Sequence, residues 1–172
     1  MAIASTDLEL RLSGGAGNTT PGSALGGGMS TAGGGVVTSG GANNVWDDVS
    51  GAEASAGDIE YRCLYVKNAH GTLTLQAAAL WIDSLTSSPG TEFDLGLDAA
   101  AVGSDSSTTV ANENTAPGGV TFSRPTSKAA GLLNADIPAG SKKAFWIRRS
   151  VTAGAAAASD TGSIRLEGDT AP

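Results

Sequence analysis

His70 and Cys63 are the only imidazole and the only thiol in this chain, so chemistry that relies on either starts from a short supply. Nucleophilic catalysis needs a base held by an orienting carboxylate beside the attacking group, and no GxSxG or other nucleophile motif accompanies His70. It falls in Asn68-Ala69-His70-Gly71, which reads as a turn, so a surface turn residue is expected. One His and one Cys cannot supply the ligands of a zinc site, closed or open. Cys63 lies inside an alternating apolar run and reads as a small buried hydrophobe, with no activating histidine near it in sequence. A lone cysteine also leaves no internal disulfide framework.

Carboxylates are more plentiful. Asp47, Asp48, Asp94, Asp98 and Asp169 are candidate calcium ligands, but EF-hand spacing and a dense D-x-D-x-D array are both missing, and solvated loop acids are expected. A carboxylate pair for glycoside hydrolysis is conceivable in any acidic chain; other site-forming residues are scarce here. GGAG and GGG lack a following GK[ST] and a surrounding parallel βα unit, so neither is a phosphate loop. The net charge of -7 and ten scattered basic residues argue against nucleic acid as a partner. Lys142-Lys143 and Arg148-Arg149 are adjacent on a strand and point to opposite faces. Tryptophans on β-sandwiches sometimes form sugar platforms. Trp81 and Trp146 sit in apolar runs and read as core anchors, which leaves Trp46 as the candidate platform. No catalytic residue, cofactor-binding residue or metal ligand is expected.

The elements that must position these residues are strands. TDLELRLS, residues 6–13, sets Leu8, Leu10 and Leu12 against Asp7, Glu9 and Arg11, the signature of one buried face. Residues 14–42 hold too few large apolar side chains to offset their ordering entropy, and read as a flexible linker or an arm that orders against a partner. In DIEYRCLYVKN, residues 58–68, Ile59, Tyr61, Cys63 and Tyr65 share one face, and Glu60, Arg62, Leu64 and Val66 the other. That strand is expected to be central and covered on both sides towards its end. The 57–75 segment, with its turn at residues 68–71 and TLTLQAAALWI as the partner strand, reads as an antiparallel hairpin.

Further strands are expected in TEFDLGLD, in VTFSRP up to Pro125, at 144–151 and in SIRLEGD. LTSSPG and the Pro-x-Gly of residues 138–140 read as turns, 99–119 as a long loop, and GAAAAS as a connector too short for a stable helix. No stretch carries a sustained helical period. Six or seven short strands predict an all-β fold, an antiparallel β-sandwich of immunoglobulin-like or jelly-roll outline with a Gly-rich N-terminal arm or long loop. The expected division is 1–42, an N-terminal strand and arm, and 43–172, the sandwich domain. No signal peptide is evident in MAIASTDLELRL and no run approaches membrane-spanning length, so a chain folded in a cytoplasm without a membrane partner is expected.

In order, VWDDVSGAEASAGDIEYRCLYVKNAHGTLTL, TEFDLGLD, ENTAPGGVTFSRPTS, DIPAGSKKAFWIRRSVTAGA and IRLEGDT resemble a group of tailed-bacteriophage virion structural proteins. The likeness covers most of residues 43–170 and the opening LELRLSGGAGN. It implies a virion protein assembled in the host bacterial cytoplasm, without enzymatic activity: a decoration or cement protein on the major capsid protein, self-associating as a homotrimer. A tail or baseplate component and a carbohydrate-binding host-attachment module are the alternatives.

Overall fold

The computed structural model describes residues 2–86, 90–155 and 161–170, and it is nearly all β. Among the described residues, seven strands form two antiparallel sheets. One contains β1 (Leu8–Leu12), β2 (Asp58–Asn68), β6 (Lys142–Val151) and β4 (Thr91–Leu97) in the order β1-β2-β6-β4. The other is β5 (Leu132–Ile137), β3 (Leu75–Ser84) and β7 (Ser163–Thr170), in the order β5-β3-β7. The β-sandwich expected from the alternating pattern is present. Its core fills with one face of each sheet: Leu12, Leu64, Val66, Leu95, Phe145 and Ile147 from the first, and Leu75, Leu80, Ile82 and Ile137 from the second.

A second core lies on the opposite face of the four-stranded sheet. Tyr61, Cys63 and Tyr65 of β2 and Ala144 and Trp146 of β6 pack there under Met29, with Val110, Val120 and Phe122 against them. The apolar pattern on both faces of β2 thus reports a strand buried on both sides, as expected of a central strand. Trp81 and Trp146 are both buried.

The 57–75 segment corrects the hairpin reading, because β2 and β3 belong to different sheets. Asn68, wholly buried, holds the crossover: its amide donates to the Leu73 carbonyl (2.8 Å) and the Ile137 carbonyl (3.0 Å). The segment is therefore an arch between layers. VTFSRP forms no strand; it meets β4 in one isolated bridge, Leu95 to Ser123. β5 went unread because Leu133 (φ 90°) and Asn134 (φ 42°) interrupt its alternation. Residues 51–56 form a short helix, started by a reciprocal capping box between Ser50 and Glu53. The connector GAAAAS and the turn LTSSPG lie largely outside the described residues.

The Gly-rich segment is also corrected: residues 14–42 are ordered against their own sandwich. β2 is eleven residues long, and β1 pairs only with its last five, 64–68. The uncovered half has backbone groups that need partners. Cys63 N–H donates to the Ala24 carbonyl (2.7 Å), Ser13 N–H to the Cys63 carbonyl (3.2 Å), and Tyr61 N–H to the Glu113 carbonyl (2.7 Å). The Tyr65 hydroxyl adds a bond to the Gly27 carbonyl (2.6 Å). Main-chain pairing thus supplies what the segment lacks in apolar side chains. Gly26 shows how close the layers come: its φ is 97°, and a Cβ there would lie 1.8 Å from the Thr108 carbonyl oxygen.

Gly26→Ala is expected to cost about 2–4 kcal/mol by combining a left-handed backbone with a steric clash. Gly15→Ala, also at positive φ but with open space around it, isolates the backbone component and is expected to cost less. Urea unfolding of the two variants measures both.

Candidate functional site

β2 and β6 put charge where the sandwich core runs out. Glu60 and Arg62 project from the same face of β2 as Leu64 and Val66, and Glu60 lies directly opposite Arg149 of β6. All three side chains are buried. Arg149 binds the Glu60 carboxylate and donates to the Asp47 carbonyl (2.7 Å). Arg62 pairs with Glu113 and donates to the Tyr61 carbonyl (3.2 Å). Its Nε is the one buried side-chain nitrogen or oxygen without a hydrogen-bond partner among the described residues. Trp46 closes the cluster, half-buried, with the guanidiniums of Arg62 and Arg149 each 5.0 Å from its ring centroid. Burial pushes the Glu60 carboxyl up, and the neighbouring Arg149 only partly offsets this.

Above Arg62 opens a groove of about 570 Å³. Thr20 to Leu25 of the Gly-rich segment form one wall, Ala111 to Asn114 the other, and Asn43 and Asp47 an end. Its polar groups are amides, a hydroxyl, two carboxylates and one guanidinium already paired with Glu113. Such a lining can hold a polar ligand by hydrogen bonds.

His70 lies away from this groove, in the arch. Its Nδ1 accepts the N–H groups of Thr72 (3.1 Å) and Leu73 (3.0 Å), so the ring serves the turn. Cys63 is fully buried, 3.3 Å from the Ser107 hydroxyl, and burial pushes its thiol up to about 12. Trp46, the candidate sugar platform, carries guanidiniums on its ring instead of presenting it freely.

The five candidate calcium ligands are not brought together, and two of them are not solvated loop acids. Asp94 is buried between Arg148 (2.7 Å) and Arg124 (2.9 Å). Burial raises the pKa of its carboxyl, but the hydrogen bonds from the two arginines outweigh that, and it sits below the ordinary aspartate range. Asp98, also buried, accepts from the Ala100 N–H (2.9 Å), the Thr108 N–H (3.0 Å) and the Trp146 indole (2.9 Å). Here too burial pushes upward and the hydrogen bonds win, so the carboxyl is held low. The Asp98 carbonyl accepts from the buried Lys143 ammonium (2.7 Å), whose pKa burial lowers. Asp47 and Asp169 remain exposed, beside Arg149 and Lys128 respectively.

A different trio comes together: carboxylate oxygens of Glu53, Asp58 and Glu60 lie within 4.8 Å of one another. Each is already engaged, Glu53 by the Ser50 N–H, Asp58 by Asn114 and Glu60 by Arg149. Sequence reasoning missed the Arg62–Arg149–Trp46 cluster. Its signal was the charged first half of one β2 face, which the apolar periodicity left unexplained. Scans against protein-family models, curated proteins and solved structures returned no match to this chain.

Asp98→Asn keeps the shape but loses the charge that its three donors favour, with an expected cost of about 1–3 kcal/mol at pH 7. A folded pKa below the unfolded one stabilises fully above the ordinary aspartate value near 3.9, and that stabilisation fades as pH falls through the folded value. The gap between wild type and variant should therefore close as pH drops below about 4. Thermal unfolding from pH 7 to pH 2.5 checks it.

Proposed function

We propose that this chain is a structural protein of a tailed-bacteriophage virion, a decoration or cement protein that binds the assembled major capsid protein. The order and wording of the segments from residues 43 to 170 suggest the reading. One observation of the fold supports it most: the side chains with chemical capacity are spent on architecture. His70 shapes an arch, Cys63 fills a core, Asp94 and Asp98 organise strands and loops, and Lys143 binds carbonyls. A protein that works by being a rigid, repeated surface uses its polar residues in this way.

The mechanism is attachment by shape and main-chain pairing. Residues 14–42 are already tied to their own sandwich, so they offer a preformed surface and lose little entropy on docking. An exposed strand edge adds the option of pairing with a neighbouring chain. Each contact can be weak. Several made at once on a shell become intramolecular after the first, and their combination is lasting.

The full-length protein, mixed with heads stripped of minor proteins, is expected to co-sediment at a saturating, fixed ratio to the major capsid protein and to raise the temperature at which the shell opens. Sedimentation with tails alone would favour the tail or baseplate alternative. Failure to bind either, together with glycan binding lost in Trp46→Ala, would replace the virion reading by the carbohydrate-binding one.

A further inference from the structure

The sandwich has four outer strand edges, and three of them are dressed. Residues 30–37 cover β1: Ser30 N–H donates to the Leu12 carbonyl and Val37 N–H to the Leu10 carbonyl, each at 2.8 Å. Ser123 covers β4 with two backbone bonds to Leu95. β5 is broken by register shifts and by two residues of positive φ, which spoil it as a template. β7 has neither protection. Its pairing with β3 shifts register twice, but both extra residues belong to β3. β7 itself runs for eight residues without an inserted residue or a positive φ, and among the described residues no main-chain partner approaches its far side. One hydrogen bond reaches its end, where the Ile3 N–H donates to the Thr170 hydroxyl (3.3 Å).

The side chains of β7 make that edge self-complementary. Arg165, Glu167 and Asp169 share the outer face, while Ile164 and Leu166 pack, half-buried, against the core between the sheets. A second copy that extends the sheet without turning it over must pair outer with outer residues. Consecutive registers then differ by two residues, and charge separates them. Pairing centred on Arg165 opposes two arginines, and pairing centred on Glu167 opposes two glutamates while setting Arg165 against Asp169 twice. Pairing centred on Ile164 sets Arg165 against Ser163 and gains no opposite-charge pair. Centred on Leu166, it sets Arg165 against Glu167 twice, Leu166 against Leu166 and Ile164 against Gly168, with no like charges opposed.

We propose that β7 pairs antiparallel with β7 of a second copy of this chain, about a twofold axis through Leu166. The two sheets of three strands then join into one of six, and the half-exposed apolar flank of each core is covered. The existing ion pairs of this face, Arg165 to Asp83 (3.1 Å) and Lys128 to Glu167 (2.9 Å), are exposed, and the charges of both remain available across the axis. The inference does not rest on the virion reading, and its twofold dimer differs from the homotrimer that the resemblance implies.

Sedimentation equilibrium on the full-length protein over a concentration series is expected to give a reversible dimer. Arg165→Glu and Glu167→Arg each oppose like charges and should weaken it at least tenfold, and the double reversal should restore it. A merely structural role for either residue would not be rescued in that way. Because Cys63 is buried, Leu166→Cys should cross-link between copies on mild oxidation while Ile164→Cys does not. A monomer throughout the series, a trimer, a dimer indifferent to the single reversals, or equal cross-linking at both positions would overturn the proposal.

Discussion

The rest of the structure depends on satisfying the backbone of β2. This strand is buried on both faces and outruns β1, so the N–H and C=O groups of its first half point into the protein with no strand beside them. An unpaired buried backbone group costs about 1–3 kcal/mol, and each one here finds a partner. The Ile59 carbonyl accepts from the Asn114 amide, Tyr61 bonds Glu113 and Arg62, and Cys63 bonds Ala24 and Ser13. Two segments far apart in sequence are thereby fastened to one edge. The Gly-rich segment is one, the 111–114 loop another, and the groove between them is the space that remains.

Charge in the core follows from the same constraint. Arg62 reaches the Tyr61 carbonyl only by lying on the inner face, where it needs Glu113 and the Trp46 ring to offset its burial. Arg149 on the neighbouring strand repeats that solution with Glu60 of β2. Removing one partner of such a pair leaves a buried charge uncompensated, which costs about 3–5 kcal/mol. The polar end of the sandwich is therefore rigid for electrostatic reasons, and the apolar end for packing reasons.

How much of this was legible in the sequence differs from element to element. Local pattern exposed β1, β2, β3, β4, β6 and β7 because each strand carries a run of apolar residues on at least one face, and that pattern needs no partner to be seen. The two-faced burial of β2 was legible for the same reason. Pairing was not: the 57–75 segment has the same local pattern whether the chain turns back in one sheet or crosses to the other, and the buried Asn68 that decides it bonds a carbonyl on β5. The Gly-rich segment was misread because its stability comes from main-chain bonds to distant residues, to which composition is blind. The short helix was missed although Ser50 and Glu53 spell its capping box, since six residues carry no period. At the groove, Arg62 and Trp46 were visible as residue types, but their meeting depends on the crossing of 43–47 over the sheet.

Edges connect these observations to assembly. A sandwich whose sheets have edges must manage each one, since an open row of backbone groups is a template for another chain. Here the four-stranded sheet has both its edges covered by coil from the same chain, and the three-stranded sheet has one edge deformed. The coil that covers β1 belongs to the same segment that satisfies β2, so ordering it serves both purposes. What is left is β7, whose own residues carry no bulge or positive φ and whose outer face is mixed in charge. A strand protected only against association would be expected to carry one sign of charge, because like charges repel in every register. Arg165 beside Glu167 and Asp169 repels in some registers and attracts in another, which is the pattern of an edge that discriminates among partners rather than refusing them all.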